Sequence, residues 1–95
     1  NKKCDLVICL SHLGFSYSKD SNLMCDMILA KKTRNIDLII GGHTHTFLEK
    51  PVRVKNIDNK DVIINQVGCF GINLGKIDFY FSNENKKNDS ESIKI

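Results

Sequence analysis

Two short apolar runs with a shared opening constrain the fold of this chain more than any other feature. Asp5-Leu6-Val7-Ile8-Cys9-Leu10-Ser11 follows Cys4 and Ile36-Asp37-Leu38-Ile39-Ile40 follows Asn35, and the apolar-Asp-apolar start of the first is echoed in the second. Neither run alternates polar with apolar positions. Continuous apolar runs of this length mark strands buried on both faces, as in the inner strands of a parallel or mixed sheet. A Gly- and Ser-containing loop over His12–Ser21 follows the first run. Residues Asn22–Thr33 then carry Leu23, Met24, Met27, Ile28 and Ala30 along one side, the pattern of a helix of about three turns. Ser21 is placed to cap its start, Lys31 and Lys32 suit its C-terminal dipole, and Asn35 can end it in a left-handed conformation. Strand, helix, strand in this order is a βαβ unit with its two strands as parallel neighbours, and open α/β sheets bind ligands beyond the carboxyl ends of their strands.

The character of the chain changes after Pro51. Val52–Ile57 and Asp61–Val67 flank the turn-forming Asp58-Asn59-Lys60, which predicts a hairpin. Gly68, Gly71 and Gly75 punctuate the approach to a last strand over Leu74–Phe81. There Ile77, Phe79 and Phe81 share one face, and Lys76, Asp78 and Tyr80 share the other, so one side of this strand is expected to be wet. Residues 82–95 are too polar to form a core and read as a disordered tail or linker.

The three histidines all sit just beyond a strand: His12 after the first, His43 and His45 after the second, in the run Gly41-Gly42-His43-Thr44-His45-Thr46-Phe47-Leu48. Neutral imidazole is a common metal ligand. In an extended or turning segment, residues i and i+2 point to one side, so His43 and His45 are expected to face one cavity. A lone histidine near a strand end is more often a surface residue; it is the constellation of three that points to metal binding.

Composition narrows the alternatives. Ninety-five residues with 41% hydrophobic content fit one domain or a piece of one. The chain opens at Asn1 without an initiator Met and enters a strand within four residues, so a segment of a longer domain or a truncated gene product is expected. A net charge of +3 with scattered Lys and Arg offers no stripe for nucleic acid. No apolar run reaches membrane-spanning length. Cys4, Cys9, Cys25 and Cys69 lack a Cys-x-x-Cys spacing and are expected to be buried thiols rather than a zinc or redox motif.

Taken together, Ser11-His12-Leu13-Gly14, Gly41-Gly42-His43-Thr44-His45-Thr46-Phe47-Leu48, Asn65-Gln66-Val67-Gly68 and Gly75-Lys76-Ile77-Asp78 resemble the calcineurin-like metallophosphoesterases, specifically the 5′-nucleotidase branch. The resemblance covers roughly residues 4–81. It implies an α/β fold, part of a four-layer α/β/β/α sandwich, in which residues 1–81 form the C-terminal part of the catalytic domain as a βαβ unit, a hairpin and a final strand. It also implies two divalent metal ions, of zinc, manganese, iron or cobalt, with His12 and His43 coordinating one and His45 the other. Some members carry Asn or Gln at the position of His45. The implied reaction is hydrolysis of a small phosphate ester, a nucleotide, by metal-activated water, in an exported, periplasmic or cell-surface setting. The family's Asp-x-His, its bridging Gly-Asp and its Gly-Asn-His with the catalytic histidine do not occur here. The upstream half of the same domain is therefore the implied partner, and this segment alone is expected to be inactive.

Two other readings compete. The segment could be a non-catalytic metal-binding half-domain or relic, distinguished by whether the missing motifs occur upstream. A dinucleotide-binding turn at Gly41-Gly42 fares worse, because no Gly-x-Gly-x-x-Gly follows and Thr44, Phe47 and Leu48 stand where a phosphate-cradling helix would start.

Overall fold

The computed structural model describes residues 4–18, 21–81 and 87–94. Its elements run β1 (Ile8–Leu10), α1 (Asp26–Lys32), β2 (Leu38–Ile40), β3 (Val52–Lys55), β4 (Asp61–Asn65), β5 (Gly75–Phe81) and β6 (Lys87–Lys94). The first four strands form one mixed sheet in the order β1-β2-β4-β3, and β5 pairs with β6 in a second. β1 and β2 are parallel neighbours, with Ile8 beside Leu38 and Leu10 beside Ile40, so the βαβ unit is present as expected. β2 in turn lies parallel to β4, and β3 returns antiparallel to β4 as the predicted hairpin.

Both βαβ strands are shorter than their apolar runs. At their entrance the ladder gives way to a side chain: Asp37 Oδ2 accepts a hydrogen bond from Val7 N at 2.8 Å, and Asp37 N donates to Val7 O at 2.9 Å. The aspartate in the second run therefore ties the two strands together where regular pairing has not begun. β2 is buried on both faces over Leu38 and Ile39, but β1 corrects the expectation of a two-sided interior strand. It lies at the sheet edge, with Ile8 half-exposed and Leu10 79% exposed.

α1 also begins later than its sequence pattern, at Asp26 rather than Asn22. Cys25 occupies the N-cap in an extended conformation without a side-chain cap. Two of the first helical amides, which have no partner within the helix, are taken by the preceding loop, Asp26 N by Gly14 O at 2.7 Å and Met27 N by Phe15 O at 3.3 Å. Ser21, expected at the cap, accepts instead from Leu23 N. At the other end Thr33 Oγ1 donates to Leu29 O, and Asn35 is left-handed (φ 72°) as expected.

The core lies between α1 and one face of the four-stranded sheet. Ala30, Ile39, Val54, Val62 and Ile64 form its buried centre, with Cys9, Phe15, Met27 and Leu29 packed around it. Each fully buried aliphatic side chain contributes about 1.5–3 kcal/mol. On the opposite face, a groove of about 460 Å³ opens between Leu38 and Ile40 on one side and Ile77 and Phe79 of β5 on the other. Asn65, Val67 and Gly75 also line it. Helix, sheet and second sheet thus stack as three successive layers. In β5, Ile77 and Phe79 turn to the groove while Lys76 and Tyr80 are exposed, but the expected division fails at Asp78, which is half-buried, and at Phe81, which is 46% exposed where the strand runs past the groove.

The expectation of an unpacked tail over 82–95 fails for Lys87–Lys94, which pair antiparallel with β5, Gly75 opposite Lys94 and Phe79 opposite Ser90. Residues 82–86 and 95 lie outside the described ones. Polar composition argues against a core position, but strand pairing draws on backbone N–H and C=O groups that any non-proline residue supplies. The hairpin turn follows its sequence signal, with Asn59 left-handed (φ 62°) and Asn56 Oδ1 accepting from Asp58 N and Lys60 N. Of the cysteines, all free, only Cys25 is buried; Cys9 and Cys69 are half-buried and Cys4 is exposed, so the expectation of buried thiols holds for one of the four.

Candidate metal centre

The parallel ladder does not stop at the last residues of β1 and β2. Ser11 N donates to Ile40 O at 2.9 Å, and Gly41 N donates to Asn65 O at 2.9 Å, so the chain leaves all three parallel strands in register. His12 and His43 come next on two adjacent strand ends. His43 Nδ1 stands 3.1 Å from His12 Nε2, and the rings meet edge to face at 4.8 Å between centroids. Both rings are exposed. Two nitrogens bound to one zinc ion at about 2.0–2.1 Å, with ordinary tetrahedral or right angles, stand roughly 2.9–3.4 Å apart. The pair that here shares a hydrogen bond is therefore spaced to share a cation.

His45 does not join this pair. His43 and His45 both adopt left-handed backbone conformations (φ 74° and 55°), so the segment is neither extended nor alternating, and the expectation that i and i+2 face one cavity fails. His45 lies edge-on to Phe70 at 5.9 Å. Among the described residues no third His, Cys, Asp or Glu gathers with His12 and His43 into a cluster able to hold an ion.

The histidine loop is held from below by Gln66, just beyond β4. Gln66 is buried, and its Oε1 accepts from Thr46 N at 2.5 Å and from Thr44 Oγ1 at 3.3 Å, while its carbonyl accepts from Leu48 N. Thr44 Oγ1 also accepts from Phe15 N at 3.1 Å, which couples this loop to the one that carries His12. Phe47 forms an isolated antiparallel bridge with Val67. Asp26 is the second residue that sequence reasoning missed. It is fully buried, and its Oδ1 accepts from Ser11 Oγ at 2.6 Å. Burial raises its pKa above the ordinary aspartate value, an effect partly offset by the Ser11 hydrogen bond. Its sequence position, one residue before Met27 on the apolar side of the helix, was the available signal.

No family model matches the chain. Curated relatives do. The trifunctional nucleotide phosphoesterase protein YfkN of Bacillus subtilis is 39% identical over 80 residues, covering 84% of this chain and 5% of that protein. An apyrase of Tabanus yao is 35% identical over 99 residues, covering 88% of this chain and 16% of its own length. The solved structure of a 5′-nucleotidase precursor from Thermus thermophilus superposes with a TM-score of 0.79 at 25% identity, over 96% of this chain and 19% of that one. The chain belongs to the 5′-nucleotidase branch of the metallophosphoesterases. It spans less than a fifth of the length of each of these relatives. Within the metallophosphoesterase fold, the mixed sheet, its covering helix and the strand-end loops with His12, His43 and His45 are the parts that this chain contributes.

Proposed function

We propose that this chain is the part of a 5′-nucleotidase-like phosphomonoesterase that supplies histidine ligands to a dinuclear metal site, with His12 and His43 on one ion and His45 on the other. The observation that carries the reading is the 3.1 Å spacing of His12 Nε2 and His43 Nδ1 across two parallel strand ends. The separation of His45 from that pair supports its assignment to a different ion. The substrate class is a nucleotide or similar phosphate ester, on the strength of relatives named as nucleotide phosphoesterase, apyrase and 5′-nucleotidase. An exported setting fits relatives that include snake venom 5′-nucleotidases.

His12 presents Nε2 and His43 presents Nδ1, and each must be neutral to offer its lone pair. Gln66, Thr44 and Thr46 hold the loop in which the exposed His43 ring meets His12. Divalent ions in such a site activate water and neutralise charge on the phosphoryl group. None of the three histidines is assigned acid–base work: the motifs that carry the bridging carboxylate and the catalytic histidine of the family lie outside this sequence. The test is metal analysis and phosphate release from AMP by the full-length protein and its His43→Ala variant. Loss of metal together with activity supports the reading. A full-length protein that binds metal through these histidines and releases no phosphate supports the non-catalytic half-domain instead.

A further inference from the structure

Asp26 is a carboxylate with no exposed surface, in a chain whose other buried polar residues, among those described, are Asn56, Asn65 and Gln66. Such a group is costly to bury unless its oxygens are hydrogen-bonded or paired. Its contacts converge on the two histidine-bearing loops. Asp26 Oδ1 accepts from Ser11 Oγ, and the same Ser11 oxygen accepts from Leu13 N at 3.2 Å, so the hydroxyl bridges the residues on either side of His12. Asp26 N donates to Gly14 O, the fourth residue of that run. Asp26 Oδ2 presses on Gly41, where a Cβ would collide with it, and the Nε2 of Gln66 lies on the same glycine. Oδ2 and Nε2 are the two buried side-chain atoms without a partner among the described residues, one an acceptor and one a donor. Gln66 meanwhile fixes Thr44 and Thr46 on either side of His45 and just past His43.

We propose that Asp26 is the positioning residue of the His12–His43 pair: its carboxylate seats Ser11 and Gly41, the residues that precede each histidine loop, and so fixes the spacing of the two imidazoles. The proposal rests on the reading of His12 and His43 as ligands to one ion. Asp26 touches neither imidazole and acts only through Ser11 and Gly41. Of the two contacts, the one to Ser11 is directional, because a hydroxyl needs an acceptor at that point to keep its own oxygen turned to Leu13 N. The one to Gly41 is steric and sets how closely β2 approaches the helix.

Zinc affinity of the full-length protein, measured by competition with a chromophoric chelator, tests this in Asp26→Ala, Asp26→Asn, Ser11→Ala and the Ser11→Ala/Asp26→Ala pair. Loss of an outer partner of a ligand typically weakens metal binding by about 10–100-fold, and Asp26→Ala and Ser11→Ala are each expected to fall in that range. The double variant should be no weaker than Asp26→Ala, since both remove one contact. Asp26→Asn keeps an acceptor for Ser11 and should restore affinity to within about threefold of wild type, by the same non-additivity. A purely structural role predicts instead that Asn and Ala behave alike and that the single effects add. Should Asp26→Ala not fold, Ser11→Ala, which leaves the helix and core untouched, decides alone. Unchanged zinc affinity in Ser11→Ala, with His43→Ala strongly weakened, overturns the positioning role and leaves the ligand reading standing. Unchanged affinity in His43→Ala overturns the ligand reading itself.

Discussion

His12 and His43 are 31 residues apart in the chain, yet their Nε2 and Nδ1 atoms approach to 3.1 Å. The approach follows from β1 and β2 being parallel and in register, so that both chains leave the sheet at the same edge. Removing one imidazole should therefore cost the site a ligand without disturbing the sheet. In the full-length protein, His43→Ala is expected to lower bound metal and to cut AMP hydrolysis by roughly a hundredfold or more, beyond the loss typical of an outer partner. Thr46→Ala should leave the metal content unchanged, because its amide still reaches Gln66. His45→Asn should keep more activity than His45→Ala, since an amide oxygen can replace a ring nitrogen as a ligand. Mass-spectrometric metal analysis beside phosphate release decides the assignment, and a His43→Ala protein with full metal and normal turnover would refute it.

The two glycines before His43 are not equivalent. A Cβ on Gly41 collides with Asp26 Oδ2, whereas one on Gly42 meets His12 Nδ1 at 3.6 Å, an ordinary contact. Gly41→Ala should destabilise by about 1–3 kcal/mol, the usual cost of overpacking, and Gly42→Ala by less than about 1 kcal/mol. Urea denaturation of both variants checks this. Equal losses would show that the Asp26 contact is not what holds Gly41.

Asp26 should leave a signature in the pH dependence of stability. Its pKa in the folded protein is raised, first by burial, so the native state binds the proton more tightly than the unfolded chain. The stability this gives is fully present below the unfolded value of about 3.9 and is lost as pH rises through the raised folded value. Asp26→Asn removes the titration. The stability difference between wild type and Asp26→Asn should accordingly shift against wild type as pH rises through that window. Metal-free protein unfolded in urea at a series of pH values measures it, and a shift in favour of wild type would contradict the burial argument.

The isolated 95-residue chain should not act as a phosphatase. Its described residues gather two imidazoles, not the set of ligands that two cations need. It also exposes large apolar side chains, among them Leu10, Phe70, Ile72 and Leu74, beside an open apolar groove. Purified alone, it is expected to bind a hydrophobic dye and to release no p-nitrophenol from p-nitrophenyl phosphate with zinc, manganese or cobalt supplied. A dye-silent protein with a sharp melting transition, or metal-dependent turnover, would count against this.

Several features were legible because they are local. Continuous apolar residues at Val7–Leu10 and Leu38–Ile40 marked parallel strands, Asp58-Asn59-Lys60 marked the hairpin, and the residues over Leu74–Phe81 marked a last strand, though not the exposure of Phe81. The placement of each histidine beyond a strand end was equally readable. The strand in Lys87–Lys94 was not, because its pairing with β5 depends on backbone groups rather than on side-chain pattern.

The linear chain carries the order of the elements and the position of the three imidazoles, each just beyond a strand. Which of those imidazoles meet is settled by folding in three dimensions. The left-handed backbone at His43 and His45 defeats the alternation that their spacing implies, and sends one ring to His12 and the other to Phe70. Likewise, Asp26 stands on the apolar side of the helix pattern, but its partners appear only once β1, β2 and β4 assemble around it. Burial of a carboxylate, its bond to Ser11 and its pressure on Gly41 all arise from residues far apart in the chain, and no local pattern encodes contacts that exist only once the sheet has formed.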